Sequence, residues 1–320
     1  RNRWFDKSFT VICFENGRGG LNAEHTPVDA MTIVSIFMHA LDRVRKVAAS
    51  QLKHFNAQLP PLNVKCEPPV RLSWEVSPRL QRVLERASAS ITALTRDCQL
   101  VLLHFNHFGK GLMKRAKLHP DFFMQMAIQL AYFKLHGRFV ATYETGHTRA
   151  FYHGRTDTVR TLSMQSMAFV KAMQNPSASS EEKFAALKTA CEAHGAQLQR
   201  VLTGQGIDRH LLGLYICAVM RGELPPFFSD EAYKLSGGGG NYIISTSNVG
   251  YTPMMGGFAP MTPDGYGVCY AMLEGRLNVS ITAWRSCEET CAERMRESLI
   301  GALVDMMELC GVASPASKLQ

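Results

Sequence analysis

Tyr242-Ile243-Ile244-Ser245-Thr246-Ser247, Tyr266-Gly267-Val268-Cys269-Tyr270-Ala271-Met272 and Leu277-Asn278-Val279-Ser280-Ile281-Thr282-Ala283 decide the fold class of this chain. All three are short runs rich in β-branched and aromatic residues, the composition of strands. Downstream, residues 288–309 carry the amphipathic spacing of a helix. Upstream, Ser179 and Glu182 have the spacing of a capping box and open a helix through Leu198. Another helix starts near Pro120 and closes at Gly137, where a left-handed cap is readily adopted. Ser77-Pro78 opens a long helix, and its Leu80, Val83, Leu84, Ala87, Ile91 and Leu94 form a stripe expected to face a core. Helical spacing covers 28–48, alternation predicts a strand over 8–14, and the proline-bearing stretch from Gln51 to Pro69 reads as a linker. Long helices mixed with late, antiparallel-looking strands place the chain in the α/β or α+β class, with helices packed on a mixed sheet.

The bulk composition removes several alternatives. A 320-residue chain with 46% hydrophobic residues buries a core and is no disordered polymer. The net charge of +8 favours a polyanionic partner, such as a phosphorylated cofactor. No basic stripe is interleaved with aromatic residues, so no nucleic-acid partner is expected. The cysteines are odd in number, nine, and irregularly spaced, which fits a reducing compartment. Cys287 and Cys291 find no matching ligand pair, so no metal is expected, and His104 with His107 read as a helical surface pair. No apolar stretch reaches membrane-spanning length without a charge, which predicts a soluble protein.

Chemistry concentrates at a few places. In Gly20-Leu21-Asn22-Ala23-Glu24-His25-Thr26-Pro27-Val28-Asp29, an imidazole follows a strand-like segment, with a carboxylate four residues on. His25 there can carry a proton near neutral pH, and Asp29 can fix its tautomer. Lys110 to Lys117 puts four cations in a glycine-bearing turn before a helix, suited to phosphate groups; the plain alternative is a solvated basic loop. Tyr143-Glu144-Thr145 with Gly154-Arg155-Thr156-Asp157-Thr158 offers hydroxyls and a guanidinium for a small carboxylate, against a capped helix start at Thr156 or Asp157. Arg209 precedes an apolar helix. Ser245-Thr246-Ser247 ends a β-like run, where a serine can donate to a developing oxyanion.

In this order, these residues resemble the carnitine/choline acyltransferase family. The resemblance spans almost the whole chain. Its markers are Arg3-Trp4-Phe5-Asp6-Lys7-Ser8, Glu24-His25, Tyr143-Glu144, Gly154 to Thr158, Asp208-Arg209-His210-Leu211, Ser245 to Ser247 and Asp264-Gly265-Tyr266-Gly267-Val268-Cys269-Tyr270. Pro27 to Met31, Asn175 to Ser179, and Ser236 to Asn241 leading to Ser247-Asn248-Val249-Gly250-Tyr251 are most similar to its peroxisomal, medium-chain members.

The resemblance implies a two-lobed, coenzyme A-dependent acyltransferase fold, of which this chain, opening without a methionine, is the carboxy-terminal half. Residues 1–65 would belong to the histidine-bearing lobe and 66–320 to the second lobe, with a tunnel between the lobes. The implied reaction is reversible transfer of a medium-chain acyl group between coenzyme A and carnitine in a ternary complex. Members acting on acetyl or palmitoyl groups, and a non-catalytic acyl-coenzyme A-binding fragment, are the alternatives. His25 would be the general base, and Asp29 the acidic partner of the carnitine-site arginine. Ser247 would donate to the oxyanion. Lys110 and Lys114 would meet coenzyme A phosphates, with Asp121 and Asn248 elsewhere on that substrate. Tyr143, Thr145, Thr156 and Arg209 would hold carnitine's carboxylate. Gly256 and Gly257 would leave the acyl tunnel open. Coenzyme A enters as substrate, no bound cofactor is implied, and a monomer in fatty acid metabolism and acyl transport is expected. The implied location is the peroxisome, alternatively the mitochondrion, with Ser317-Lys318-Leu319 lying one residue inside the terminus.

Overall fold

The alternation of Phe9-Thr10-Val11-Ile12-Cys13 produces strand β1 (Phe9–Cys13), which turns back through Gly17 at φ +76° into antiparallel β2 (Gly19–Ala23). In this computed structural model, the described residues are 7–51, 67–68 and 70–311. They fall into two compact units, Arg1–Arg96 and Asp97–Gln320. Most of the expected linker lies outside the described residues.

Helix α1 (Ala30–Gln51) follows β2 and buries Ile33 and Val34. Helix α2 (Pro78–Asp97) starts as the serine–proline pair predicts, with Ser77 Oγ accepting the Leu80 amide at 3.3 Å. Its apolar stripe, however, faces no core. Leu80, Val83, Leu84, Ile91 and Leu94 are 39% to 53% exposed. Amphipathic spacing sets which side of a helix is apolar, and no described residue covers this one.

The second unit is built on a six-stranded sheet. In chain order come β3 (Cys98–Phe105), α3 (Lys110–Arg115), α4 (Pro120–His136), β4 (Thr142–His147), β5 (Thr156–Arg160), α5 (Met164–Gln174), α6 (Ser180–Leu202), α7 (Asp208–Arg221), α8 (Glu231–Leu235), β6 (Ile244–Asn248), β7 (Tyr266–Met272), β8 (Leu277–Trp284) and α9 (Ala292–Leu309). The sheet order is β3-β8-β7-β6-β4-β5. The late strands are not all antiparallel: β6 runs parallel to both β7 and β4, because the long segment after β6 brings the chain back to the same end. The tight turn at Leu273–Arg276 makes β7 and β8 antiparallel. Strand β3 occupies the sheet edge. His104 therefore sits on a strand, its Nδ1 3.0 Å from Asn278 Oδ1, and His107 packs against Phe105 beyond the strand end, so the helical pair is corrected.

One sheet face carries Val268, Tyr270, Val279 and Ile281 against α4 and α9, and this is the main core. Helix α4 is apolar almost all round except for Asp121, Gln125 and Gln129, spaced one turn apart on a single stripe. All three are buried, and all three bond to residues on the sheet or its leading edges. Gln125 Nε2 donates to Thr246 Oγ1 at 2.9 Å and to Tyr270 Oη at 2.8 Å, and its Oε1 accepts from Thr161 at 3.1 Å. Gln129 donates to Thr142 Oγ1 at 2.8 Å. A polar seam thus fixes the register between helix and sheet. Gly137 at φ +68° closes α4, and the Ser179–Glu182 capping box opens α6, both as expected.

Candidate active site

The sheet face away from α4 gathers the polar residues singled out by sequence. Pairing of β4 with β5 sets Tyr143 beside Arg160, Thr145 beside Thr158 and His147 beside Thr156. Tyr143 also pairs with Ser245, and Ser247 pairs with Cys269. Paired residues share a sheet face, so Tyr143, Thr145, Thr156, Ser245, Ser247 and Cys269 all point the same way. Thr145 Oγ1 donates to Tyr143 Oη at 3.2 Å.

Arg209, in the first turn of α7, meets the sheet at its β5 edge. Its Nε donates to the Thr156 carbonyl at 3.1 Å, and its backbone amide donates to Asp157 Oδ1 at 3.2 Å. Thr156 and Asp157 therefore begin a strand, not a helix; Asp157 caps α7 instead. Position 206 must be glycine, since a Cβ there would lie 2.2 Å from Asp157 Oδ2. The helix start is held further by Arg160, which grips Asp208 through Nη2 at 2.7 Å and Nε at 3.1 Å, while Tyr242 donates to Asp208 at 2.9 Å. A bidentate pair of this kind is directional as well as strong.

The segment carrying Gly256 and Gly257 crosses the same face. Ser280 Oγ donates to the Gly256 carbonyl, and Thr282 Oγ1 donates to the Phe258 carbonyl at 2.7 Å. A Cβ at Gly256 would stand 3.1 Å from Cys269 Sγ, the neighbour of Ser247. One at Gly257 would stand 3.3 Å from Ser280 Oγ. Cys269 thus links the glycine pair to the serine strand.

The basic cluster forms α3, a short helix. Lys110 Nζ lies 4.3 Å and Lys114 Nζ 5.9 Å from the Tyr251 ring centroid, and Lys110 also approaches Glu274 at 3.9 Å. Two cations over one ring form a basic, aromatic corner, and Tyr251 was not singled out by sequence. Asp121 and Asn248, 127 residues apart in the chain, are bonded to each other within the fold. Asp121 Oδ1 accepts from Asn248 Nδ2 at 2.8 Å and from Tyr270 Oη at 2.7 Å, and Asn248 Oδ1 accepts the Gly250 amide at 2.7 Å.

In the first unit, His25 follows β2 and Asp29 immediately precedes α1. Their Nδ1 and Oδ1 atoms are 3.4 Å apart, with His25 exposed and Asp29 half-buried. Glu24 braces the intervening turn by accepting the Thr26 amide at 2.9 Å.

Sequence reading missed a buried trio. Glu144, from β4, and His194, from α6, meet Asp121 with their oxygen and nitrogen atoms all within 4.8 Å. Each is at most 6% exposed. Burial pushes Asp121 up to about 8, with the Glu144 charge adding to the effect, and pushes Glu144 up to about 7. Burial also drives His194 down to about 4. Only Asp121 left a signal in the sequence, as the first of the polar residues spaced i, i+4 and i+8 along α4.

The family profile described as choline/carnitine O-acyltransferase matches residues 1–300. This chain belongs to the choline/carnitine O-acyltransferase family. It is 39% identical over 308 residues to the peroxisomal carnitine O-octanoyltransferase of Bos taurus, covering 96% of this chain and 49% of that protein. It is 37% identical over 310 residues to the carnitine O-acetyltransferase of Rattus norvegicus, covering 96% of this chain and 48% of that one. The acyltransferase-family chain therefore spans about half the length of the curated relatives it matches. The expected mixed α/β class agrees with the six-stranded sheet and its covering helices. Among the described residues, no helix is long and apolar enough to cross a membrane.

Proposed function

We propose that the protein transfers a medium-chain acyl group reversibly between coenzyme A and carnitine. The observation that carries this reading is the grouping on one sheet face. Arg209 is tethered to the Thr156 carbonyl on β5, the Tyr143 and Thr145 hydroxyls are bonded to each other on the neighbouring β4, and Ser247 is two residues along the adjacent strand from Ser245, the partner of Tyr143. A cation and three hydroxyls suit a carboxylate on a small zwitterion. Choline lacks that carboxylate, so carnitine fits better.

His25 Nε2 takes the proton from carnitine's hydroxyl. The oxygen attacks the thioester carbonyl carbon, and Ser247 Oγ donates to the oxyanion that forms. The C–S bond then breaks, and the coenzyme A sulfur receives the proton from His25. Each step is reversible, and no covalent enzyme intermediate is needed. Lys110 and Lys114, gathered over Tyr251, bind phosphates of coenzyme A, and Asp121 and Asn248 shape the adjoining part of that site. Asp29 orients His25. Gly256 and Gly257 let this segment pack directly on Cys269 and Ser280 with no side chain of its own, which keeps bulk off the path we assign to an acyl chain longer than acetyl. The relative of medium-chain type carries the name peroxisomal, which supports placing this protein there.

Initial rates of the intact protein with acetyl-, octanoyl- and palmitoyl-coenzyme A at fixed carnitine test this reading. A maximum at octanoyl supports it, a maximum at acetyl overturns the chain-length assignment, and no carnitine-dependent turnover overturns the activity.

A further inference from the structure

Asp121, Glu144 and His194 form the most unusual group of charges in the second unit, and the reaction above uses only the surroundings of one of them. Three elements bring them together: the first turn of α4, the middle of β4 and the third quarter of α6. Glu144 Oε2 lies 2.7 Å from His194 Nε2. The approach is off the donor line, so neither atom makes a well-directed hydrogen bond, and His194 Nδ1 has no hydrogen-bond partner. Phe122 covers the histidine edge-on at a centroid distance of 5.3 Å, and His119 stacks on Phe122 at 4.1 Å.

Two occupants of such a cluster are conceivable, a metal ion or a proton. Two donors on one small divalent ion, each about 2.0 to 2.1 Å from it, stand roughly 3.3 Å apart in tetrahedral geometry. The 2.7 Å separation of Glu144 and His194 is shorter than that, so the two do not stand as the ligand pair of such an ion. Asp121 is also already committed, since Oδ1 accepts from both Asn248 and Tyr270. Buried together, the two carboxyls keep a single negative charge as a pair, and Asn248 and Tyr270 donate to it through Asp121 Oδ1. Two bare carboxylates this close and this buried would repel strongly, with only a neutral imidazole beside them.

The consequences run along the sheet. Asn248 and Tyr270 are cross-strand partners on β6 and β7, so one carboxylate grips both strands at the same level. Asn248 follows Ser247 directly and holds the Gly250 amide, fixing the turn that leads to Tyr251. Gln125, one turn along α4, ties Thr246 to Tyr270. We propose that Asp121 and Glu144 are positioning residues that hold one proton between them beside a neutral His194, and that this single negative charge sets the placement of Ser247 and of the Asn248–Tyr251 turn. The inference rests on the acyltransferase reading only for the role of Ser247; the shared proton rests on the burial of two carboxyls in one cluster within 4.8 Å.

The pair would lose its proton on the alkaline side of neutrality, since both carboxyls are raised, to about 8 and about 7. The other titratable groups facing it are Tyr270 from β7, Tyr251 after β6, and His119 and Lys114 from α3 and the turn into α4. Tyr270 is raised well above its ordinary value by burial and by both carboxylates, and His119 is lowered, chiefly by burial, so neither takes on charge in that range. A second negative charge then opens between α4 and β4 and loosens the grip on Asn248.

The test uses the intact protein and two readouts. Infrared difference spectra against pH are expected to show a protonated-carboxyl C=O band at neutral pH that vanishes on the alkaline side and is absent from Asp121→Asn/Glu144→Gln. The pH profile of kcat for octanoyl transfer is expected to fall about tenfold per pH unit on its alkaline limb. In Glu144→Gln, which retains the neutral shape, the limb moves up by a pH unit or more, whereas Glu144→Ala lowers kcat at every pH and Gln rescues it. Should Glu144→Gln fail to fold, Asp121→Asn provides the same readouts. Absence of the infrared band at neutral pH, or an alkaline limb with an unchanged midpoint in both single variants, overturns the proposal. A protein that shows the band yet transfers no acyl group supports the shared proton and overturns only the acyltransferase reading.

Discussion

Replacing Gln125 by leucine tests the polar seam that joins α4 to the sheet. Gln125 is fully buried and makes three side-chain hydrogen bonds, to Thr246, Tyr270 and Thr161. Each contributes about 1 kcal/mol net, so their loss alone amounts to about 3 kcal/mol. The orphaned partners do not suffer equally. Thr246 Oγ1 still donates to the Tyr143 carbonyl at 2.9 Å, and Tyr270 still donates to Asp121. Thr161 loses the acceptor of its buried hydroxyl, which adds roughly 1 kcal/mol or more. Leucine's extra apolar burial returns about 1 kcal/mol of this. The expected destabilisation is therefore about 3 kcal/mol. Urea unfolding followed by circular dichroism should show it as a midpoint lowered by about 1 M, for a slope near 3 kcal/mol per M. Gln129→Leu, which forfeits a single bond to Thr142, should cost about 1 kcal/mol in the same assay. A Gln125→Leu protein within 1 kcal/mol of the parent would refute the view that the seam holds helix to sheet.

Arg209→Ala removes the cation but leaves the Asp157 cap on its backbone amide. The carnitine KM should rise about 10- to 100-fold with little change in the acyl-coenzyme A KM; an unchanged carnitine KM would contradict the carboxylate role. Gly256→Met places a Cβ 3.1 Å from Cys269 Sγ, beside Ser247, and should lower octanoyl relative to acetyl turnover at least tenfold. An unaltered ratio of the two rates would show that the acyl chain runs elsewhere. Stability against pH has a worked sign. Asp121 and Glu144 keep in the folded state a proton that the unfolded chain, with carboxyls near 3.8 and 4.5, gives up, so its contribution falls as pH rises toward 8. His194, lowered from 6.5 to about 4, acts in the opposite sense between those values. Stability should thus fall most steeply between about pH 6.5 and 8, by roughly 1 kcal/mol per pH unit, a slope that Glu144→Gln should flatten in chemical denaturation.

Where the sequence carried local signals, the elements formed as expected: the serine–proline start of α2, the glycine end of α4, the capping box of α6, and the bounds of β7. Strands β3, β4 and β5 left no such signal. Asp97 ends α2 and Cys98 begins β3 with no glycine or proline between them. Strands β4 and β5 are rich in threonine and carry Glu144 and Asp157 at buried positions, a composition that reads as loop or helix cap until the partners are known. The hydrophobic stripe of α2 and the polar stripe of α4 gave opposite lessons. In the first, apolar spacing did not mean burial; in the second, polar residues were not exposed. Tyr143, Thr145, Thr156 and Ser247 stood out by residue type and order, and the sheet register puts them on one face; Arg209 comes from α7 and meets β5 through the Thr156 carbonyl. Glu144, His194 and Tyr251 were not legible, because their importance arises from contacts between elements far apart in the chain.

The central claim is that one imidazole moves the proton in acyl transfer to carnitine. Its most direct test is the initial rate of carnitine-dependent thiol release from octanoyl-coenzyme A by the intact protein and by its His25→Ala variant. The expected result is ready turnover by the parent and a loss of about 100- to 10,000-fold in kcat in the variant, with substrate binding retained. A variant that turns over at a near-parental rate would contradict it.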